Sequence, residues 1–152
     1  MNSIRIPFNY RLFTAETYMG QNNPNRGFEL LDRVIGWCKK EGLYVILDMH
    51  CAPGGQTGDN IDDGVGYPFL FKSKASQQLA IQVWQKIAAR YANETTVMGY
   101  DLLNEPIATF FKAEEFNQYL EPLYKEITKS IRTVDKNHII ILGGAQWDSN
   151  FK

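Results

Sequence analysis

Four short apolar runs recur along the chain, and their recurrence limits the possible folds more than any other feature of the sequence. The runs cover residues 3–8, 44–50, 97–103 and 138–142, and the first, second and fourth are rich in β-branched side chains. Nearly continuous apolar runs of this length are typical of strands buried on both faces of a parallel sheet. We therefore predict four parallel strands, and we expect Pro7, which lacks an amide donor, to mark the end of the first.

The segments between these runs change to a helical period. The first apolar stripe is followed by Gly42, a typical helix stop, and the second is expected to begin near Ser73 and to end near Asn93. The third contains Pro122, which is expected to start or kink its main helix. The stripes consist of Phe28, Leu31, Ile35 and Cys38, then Leu79, Val83, Ile87 and Tyr91, then Phe116, Leu120, Leu123, Ile127, Ile131 and Val134.

Alternation of strands and helices predicts an α/β parallel sheet with right-handed crossovers, either doubly wound or part of a (β/α)-barrel. The first strand lacks the glycine turn of a dinucleotide fold, and the Gly-rich stretch 52–66 lacks a phosphate-loop lysine, so we interpret that stretch as an active-site loop. Each repeat takes roughly 46 residues, and eight would take roughly 370, within the usual barrel range. The four strands and three helices therefore predict about half of a (β/α)8 TIM-type barrel.

The charge balance excludes some classes of partner. Sixteen Lys and Arg face 17 Asp and Glu, for a net charge of -1, which argues against nucleic-acid and anionic-lipid surfaces. No apolar run approaches the ~18 residues of a membrane span, and we expect no signal peptide in the printed chain. Cys38 and Cys51 are interpreted as free thiols, and we predict no metal site and no cofactor. The acidic loop 59–63 lacks EF-hand spacing, which favours a solvated loop over a calcium site.

Functional residues of parallel α/β sheets collect at the carboxyl ends of the strands. Those ends, in chain order, carry Arg5 and Tyr10, then His50, then Asn104 and Glu105, and then Gln146, Trp147 and Asp148. An arginine inside an apolar strand is informative, because a buried guanidinium needs a partner. Asp48 shares the parity of His50, and Asp101 that of Glu105, so we expect both aspartates to lie deeper and to pair with Arg5.

The triplet Asn104-Glu105-Pro106 after Gly99-Tyr100-Asp101-Leu102-Leu103 resembles the signature of glycoside hydrolase family 5, the cellulase family A of retaining barrel enzymes. Three further segments resemble strand ends of that family: Ile4-Arg5-Ile6-Pro7 its second strand, Leu47-Asp48-Met49-His50 its third, and Gly143-Gly144-Ala145-Gln146-Trp147 the end of its fifth. The resemblance implies that residues 1–152 are the N-terminal to central part of a catalytic barrel domain, corresponding to strands two to five.

The resemblance also implies roles for these residues. Glu105 becomes the general acid/base, and Asn104 the hydrogen-bond partner of the sugar 2-hydroxyl. Arg5 would keep the nucleophile ionised, and His50 would bind substrate or support the carboxylate network. Substrate-binding positions are Trp147, as a sugar-stacking ring, and, with weaker support, Tyr10 and Gln146.

The family nucleophile is a glutamate on the seventh strand, which the printed residues do not include, so we expect the isolated chain to be inactive. The implied reaction is endo-β-1,4-glucan hydrolysis outside the cell or in the periplasm, with mannan, mixed-linkage or β-1,3-glucan as alternative substrates. A catalytically silent half-barrel that binds sugar, or assembles with a second half, remains the alternative. Open sheet edges would also permit a homo-oligomer. A nucleotide-binding α/β domain is disfavoured by the missing glycine turn.

Overall fold

A computed structural model describes residues 1–20 and 22–151. The strands are β1 (Ser3–Asn9), β2 (Tyr44–Cys51), β3 (Val97–Asp101) and β4 (Ile139–Ile141), and the long helices are α1 (Arg26–Lys40), α2 (Lys74–Tyr91) and α3 (Ala113–Arg132). Short 3-10 turns occur at Tyr10–Phe13 and Phe69–Phe71, and a helical turn lies at Ala145–Asp148. In the described part of the chain, no helix is long and apolar enough to cross a membrane.

All four strands are parallel and pair in the order β1-β2-β3-β4, so spatial order follows chain order. One helix connects each strand to the next, which is the arrangement of successive units in a (β/α)-barrel. β1 and β4 are the two edge strands of this sheet. The predicted parallel α/β architecture is confirmed by this topology.

Local signals explain where the helices start and stop. Ser73 caps α2, its side chain accepting a hydrogen bond from the Ser76 amide, as expected for an N-cap serine. α1 ends at Lys40, and Gly42 follows with a positive φ of 68°, a conformation that glycine adopts at little cost. Both helix boundaries lie where the sequence predicts them.

Three predicted boundaries are wrong. β1 continues past Pro7 to Asn9, with Pro7 in register with Asp48, because an edge strand tolerates one missing amide donor. α3 begins at Ala113, well before Pro122, so this proline does not start the helix; the alternative, that it kinks the helix, stays a prediction. β3 ends at Asp101, although the apolar run continues, because the chain turns away from the sheet after that residue.

Alternation along the strands gives the sheet two faces. On the helix face, Val45, Leu47, Met49 and Tyr100 are fully or almost fully buried in one apolar cluster with α1, α2 and α3. The indole of Trp84 on α2 anchors this cluster by donating a hydrogen bond to the Leu102 carbonyl at 3.1 Å. Burial at roughly 25 cal/mol per Å² of apolar surface makes the helix face the principal source of stability.

The other side of the sheet, which we call the open face, carries the second set of alternating residues. Register places Arg5 opposite Ile46, Asp48 opposite Asp101, and Asp101 opposite Ile141. Ile139, on this face of β4, is 54% exposed. The polar residues near the carboxyl ends of the strands therefore lie on a face that the three helices do not cover.

Candidate active site

Arg5 forms the centre of the polar network on the open face. Its guanidinium reaches Asp48 Oδ2 at 2.8 Å, Asp101 Oδ2 at 2.8 Å and Asn104 Oδ1 at 3.0 Å. One side chain of β1 thus binds residues of β2, of β3 and of the turn beyond β3. These ion pairs are the partners that strand parity predicts for Arg5.

Asp48 and Asp101 sit side by side because the β2–β3 register aligns them. Burial raises the pKa of Asp48 to about 6, although hydrogen bonding to His50 and the charge of Arg5 act in the opposite direction. Burial likewise raises the pKa of Asp101, again opposed by Arg5. The cation between them is needed because two adjacent buried carboxylates are otherwise costly to ionise.

His50 lies on the same open face, near the carboxyl end of β2. Its Nδ1 lies 2.8 Å from Asp48 Oδ2, which assigns the proton to Nδ1 when the carboxylate is ionised. The side chain is 37% exposed, so part of the ring is open to solvent while Asp48 holds its Nδ1. Of the two roles implied for His50, the structure shows the contact with the carboxylate network.

Asn104 and Glu105 begin the turn after β3. Asn104 is nearly buried, and because its Oδ1 accepts from Arg5, its amide nitrogen remains the donor end of the side chain. Glu105 is half-buried and has a φ of 43°, a left-handed conformation that is costly for a non-glycine residue. Among the described residues, no hydrogen bond or ion pair engages the Glu105 carboxylate, so this group is available for chemistry.

The rim beyond Glu105 is aromatic. Trp147 is 39% exposed and meets the ring of Phe110 edge-on, with centroids 6.5 Å apart. Phe110 itself is 62% exposed. Sequence reasoning missed Phe110, although an aromatic residue a few positions after the Asn-Glu-Pro triplet was a usable signal. Trp147 and Phe110 together form an exposed aromatic surface.

The two weaker rim candidates lie less openly. Tyr10 is only 6% exposed, and its hydroxyl accepts a hydrogen bond from Arg11 Nε at 3.2 Å. Gln146 is half-buried, with a positive φ of 55°, and its Oε1 accepts a hydrogen bond from the side-chain Nδ2 of Asn150 at 3.4 Å. Each has a protein partner already, so a role in sugar binding would rest on the part that remains accessible.

Asp148 faces back toward Glu105. The Glu105 amide donates to its carboxylate, while partial desolvation and the charge of Asp101 raise the pKa of Asp148. A Cβ on Gly143 would overlap the Asp148 carboxylate, so a larger residue there would have to displace this side chain. Asp148 therefore acts as a support of the Glu105 turn.

The acidic loop is more ordered than the sequence indicates. Asp62 accepts hydrogen bonds from the Thr57 and Gly64 amides, each at 2.6 Å, and Asp63 accepts one from Asn9 at 2.7 Å. These carboxylates are thus committed to holding the loop. Within residues 1–20 and 22–151, no group of three or more His, Cys, Asp or Glu side chains is arranged to hold a metal ion.

Sequence reasoning also missed Gln56, which is fully buried in the Gly-rich loop and hydrogen-bonded to the Asn104 carbonyl. A glutamine among glycines gives no periodic signal, because its role depends on contacts with residues almost fifty positions away. Cys38 and Cys51 are both free thiols, as interpreted from the sequence.

Comparison with known proteins gives a consistent result. The model of the family described as cellulase (glycosyl hydrolase family 5) matches residues 1–152. The chain is 36% identical over 152 residues to a beta-xylosidase of Phanerodontia chrysosporium, covering 99% of this chain and 30% of that protein. It is 30% identical over 146 residues to endoglucanase C of Acetivibrio thermocellus, covering 96% of this chain and 39% of that protein.

Among solved structures, endoglucanase Cel5A of the hyperthermophile Thermotoga maritima superposes with a TM-score of 0.65 at 28% identity, covering 95% of this chain and 40% of that one. The chain thus spans about a third of the length of the curated relatives it matches. The predicted fold, part of a (β/α)8 barrel, is confirmed by this superposition. The resemblance drawn from the Asn104-Glu105-Pro106 triplet is confirmed as well: the chain belongs to glycosyl hydrolase family 5.

Proposed function

We propose that the whole protein is a retaining β-glycan hydrolase in which Glu105 is the general acid/base. The observation that carries this proposal is the Glu105 carboxylate itself. It sits at the carboxyl end of β3 without a protein partner among the described residues, directly after an asparagine that Arg5 orients. A structural glutamate beside an arginine is normally paired with it, whereas a catalytic acid must be free to meet substrate.

The proposed reaction has two steps. Glu105 gives its proton to the glycosidic oxygen as the bond to the anomeric carbon breaks, and a second carboxylate forms a covalent bond to that carbon. Glu105 then removes a proton from the water that releases the sugar. Asp48 and Asp101 are unsuited to the second role because Arg5 holds both. We therefore assign the nucleophile to a strand outside the printed residues, and expect these 152 residues alone to turn over no substrate.

Neighbouring side chains fit supporting roles. The donor end of Asn104 is suited to the sugar 2-hydroxyl, a contact that strengthens as positive charge develops on the ring. Trp147 and Phe110 offer stacking surface at the rim, and His50 completes the polar wall on the β2 side. Arg5 also supplies positive charge that stabilises a nearby ionised carboxylate.

β-1,4-Glucan is the substrate we propose, with internal cleavage, because the chain is similar to proteins named endoglucanase C and endoglucanase Cel5A. β-Xylosidic linkages are the second candidate, favoured by the relative called a beta-xylosidase. A polysaccharide substrate places the proposed enzyme in the extracellular space or the periplasm. If the whole barrel shows no turnover either, the alternative, a catalytically silent half-barrel that binds sugar, is favoured.

The test uses a polypeptide that joins these residues to the remaining strands of a family 5 barrel. Glu105→Gln should lower kcat/KM on soluble β-1,4-glucan at least about 100-fold, because general acid catalysis contributes that much. An aryl glycoside with a good leaving group should retain most of its glycosylation rate. Unchanged hydrolysis of the polymer by the variant would contradict the assignment, and comparison of cello- and xylo-oligosaccharides separates the two substrate classes.

A further inference from the structure

Gln56 is a fully buried polar side chain whose every hydrogen-bonding group is committed to main chain. Its Oε1 accepts from the Ala52 amide at 3.0 Å, and its Nε2 donates to the His50 carbonyl at 2.8 Å and to the Asn104 carbonyl at 2.9 Å. Both N–H groups of the amide are thus used. One side chain thereby joins the end of β2 to the residue that precedes Glu105.

The main chain of the same loop binds the other side of the Glu105 turn. The Gln56 carbonyl accepts the Ile107 amide at 2.9 Å, and the Thr57 carbonyl accepts the Ala108 amide at 2.9 Å. The turn 104–108 is therefore fixed before and after Glu105 by two consecutive loop residues.

The conformation of that turn shows why it needs to be held. Glu105 has a φ of 43° and Ile107 a φ of 59°, and both are side-chain-bearing residues in the left-handed region. Such conformations persist only where the surroundings determine them. The hydrogen bonds from Gln56 and Thr57 supply fixed points on either side of both residues.

We infer that Gln56 is a positioning residue for the acid/base Glu105, acting through the Asn104 carbonyl and the 104–108 turn. This inference rests on the proposed function of Glu105. Gln56 is enclosed, so it does not touch substrate; it sets where the Glu105 carboxyl stands relative to the glycosidic oxygen. Misplacement of a catalytic group by about 1 Å is enough to lower a rate about 100-fold.

A second glutamine provides a matched control. Gln77 is half-buried, and its Nε2 also donates to two carbonyls, those of Leu70 and Phe71, each at 3.1 Å. It performs the same kind of bridging for a 3-10 turn that does not carry Glu105. Gln77→Met therefore removes comparable hydrogen bonds while leaving the acid/base turn intact.

The experiment compares Gln56→Met with Gln77→Met in the whole barrel. Gln56→Met should lower kcat on soluble β-1,4-glucan about 10- to 100-fold with KM within about 2-fold, and lower the rate on an activated aryl glycoside by less than about 3-fold. Gln77→Met should lower Tm while leaving the ratio of the two rates unchanged. Equal losses on both substrates in Gln56→Met, or the same ratio in both variants, would overturn the inference.

A second variant guards against a folding failure. Gln56→Glu keeps the side-chain volume and the oxygen that accepts from Ala52, but a carboxyl group has at most one O–H, so it cannot donate to both the His50 and the Asn104 carbonyl. It should show the same selective loss on the unactivated polymer, and a wild-type ratio of rates would count against the positioning role. Glu105→Gln is measured beside it. Normal polymer hydrolysis by Glu105→Gln rejects the proposed function. If Glu105→Gln loses polymer hydrolysis while Gln56→Glu keeps the wild-type ratio of rates, only the inference about Gln56 is rejected.

Discussion

On the helix face of the sheet, Val45, Leu47 and Met49 have no solvent-exposed surface, whereas Ile139 on the open face is 54% exposed. The helix face is apolar throughout its centre. The open face mixes aliphatic residues with the Arg5, Asp48 and Asp101 network. The difference teaches that strand parity divides the sheet: alternate residues of the same strands form an apolar core on one side and a polar network on the other.

The largest expected effect tests the unequal stability of the two faces. Leu47→Ala should lower the free energy of unfolding by about 2–5 kcal/mol, because it opens a cavity in a closed core. Ile139→Ala should cost less than about 1 kcal/mol, since that side chain is already half in water. Urea unfolding of the 152-residue chain at low protein concentration gives both values. Equal costs would show that Ile139 is covered in solution, contrary to its 54% exposure on the open face.

The next effect concerns the charges of the open face. Arg5→Met leaves two buried carboxylates without their cation, and we expect a loss of about 2–3 kcal/mol. This is below the value for a fully buried pair because the Arg5 side chain is 38% exposed. Arg26→Met is the matched control, since its pair with Glu29 at 3.5 Å is on the surface and should contribute less than about 1 kcal/mol. Similar losses of unfolding free energy in both variants would show that the Arg5 network contributes no more than a surface ion pair.

The pH dependence of stability sharpens the same point. Because the folded protein holds the Asp48 proton more tightly than the unfolded chain, the Asp48 contribution is fully present below pH about 4 and is lost as pH rises through about 6. The free energy of unfolding should therefore fall by about 1–3 kcal/mol across that window. Asp48→Asn should reduce this slope, with the remainder due to Asp101. A wild-type stability that rises across the window would contradict the burial of Asp48.

The smallest effect concerns association through the sheet edges. An edge strand with an exposed aliphatic residue is a template for pairing with another chain, so we expect the isolated chain to self-associate through β4. Ile139→Lys should raise the dissociation constant about tenfold, whereas Val65→Lys, at an 83% exposed loop residue, should leave it unchanged. Sedimentation velocity measures both. A wild-type chain that stays monomeric at all concentrations would refute the expectation.

Much of the fold follows from periodicity, because burial on both faces makes a strand apolar along its whole length. The errors arose where tertiary context decides. Pro7 lies within its strand because β1 is an edge, and β3 is shorter than its apolar run because Leu102 and Leu103 are buried outside the ladder. Neither of these strand boundaries can be predicted from the local sequence pattern.

The site was predictable only in part, for a related reason. The Arg5–Asp48–Asp101 network follows from parity, and Glu105 follows from its triplet at a strand end. Gln56 did not follow, because its three hydrogen bonds join segments that meet only in the folded chain. The near-burial of Tyr10 was equally hidden, since sequence places it at the rim but does not show what covers it.

The assignment of Glu105 as general acid is tested most directly by a series of aryl β-glycosides whose leaving groups differ in pKa. In the whole barrel, kcat/KM of the wild type should depend weakly on leaving-group pKa, because protonation by Glu105 removes the developing negative charge. Glu105→Gln should make that dependence much steeper, with the greatest loss on the poorest leaving group. Parallel dependences for the two proteins would contradict the assignment of Glu105 as the acid.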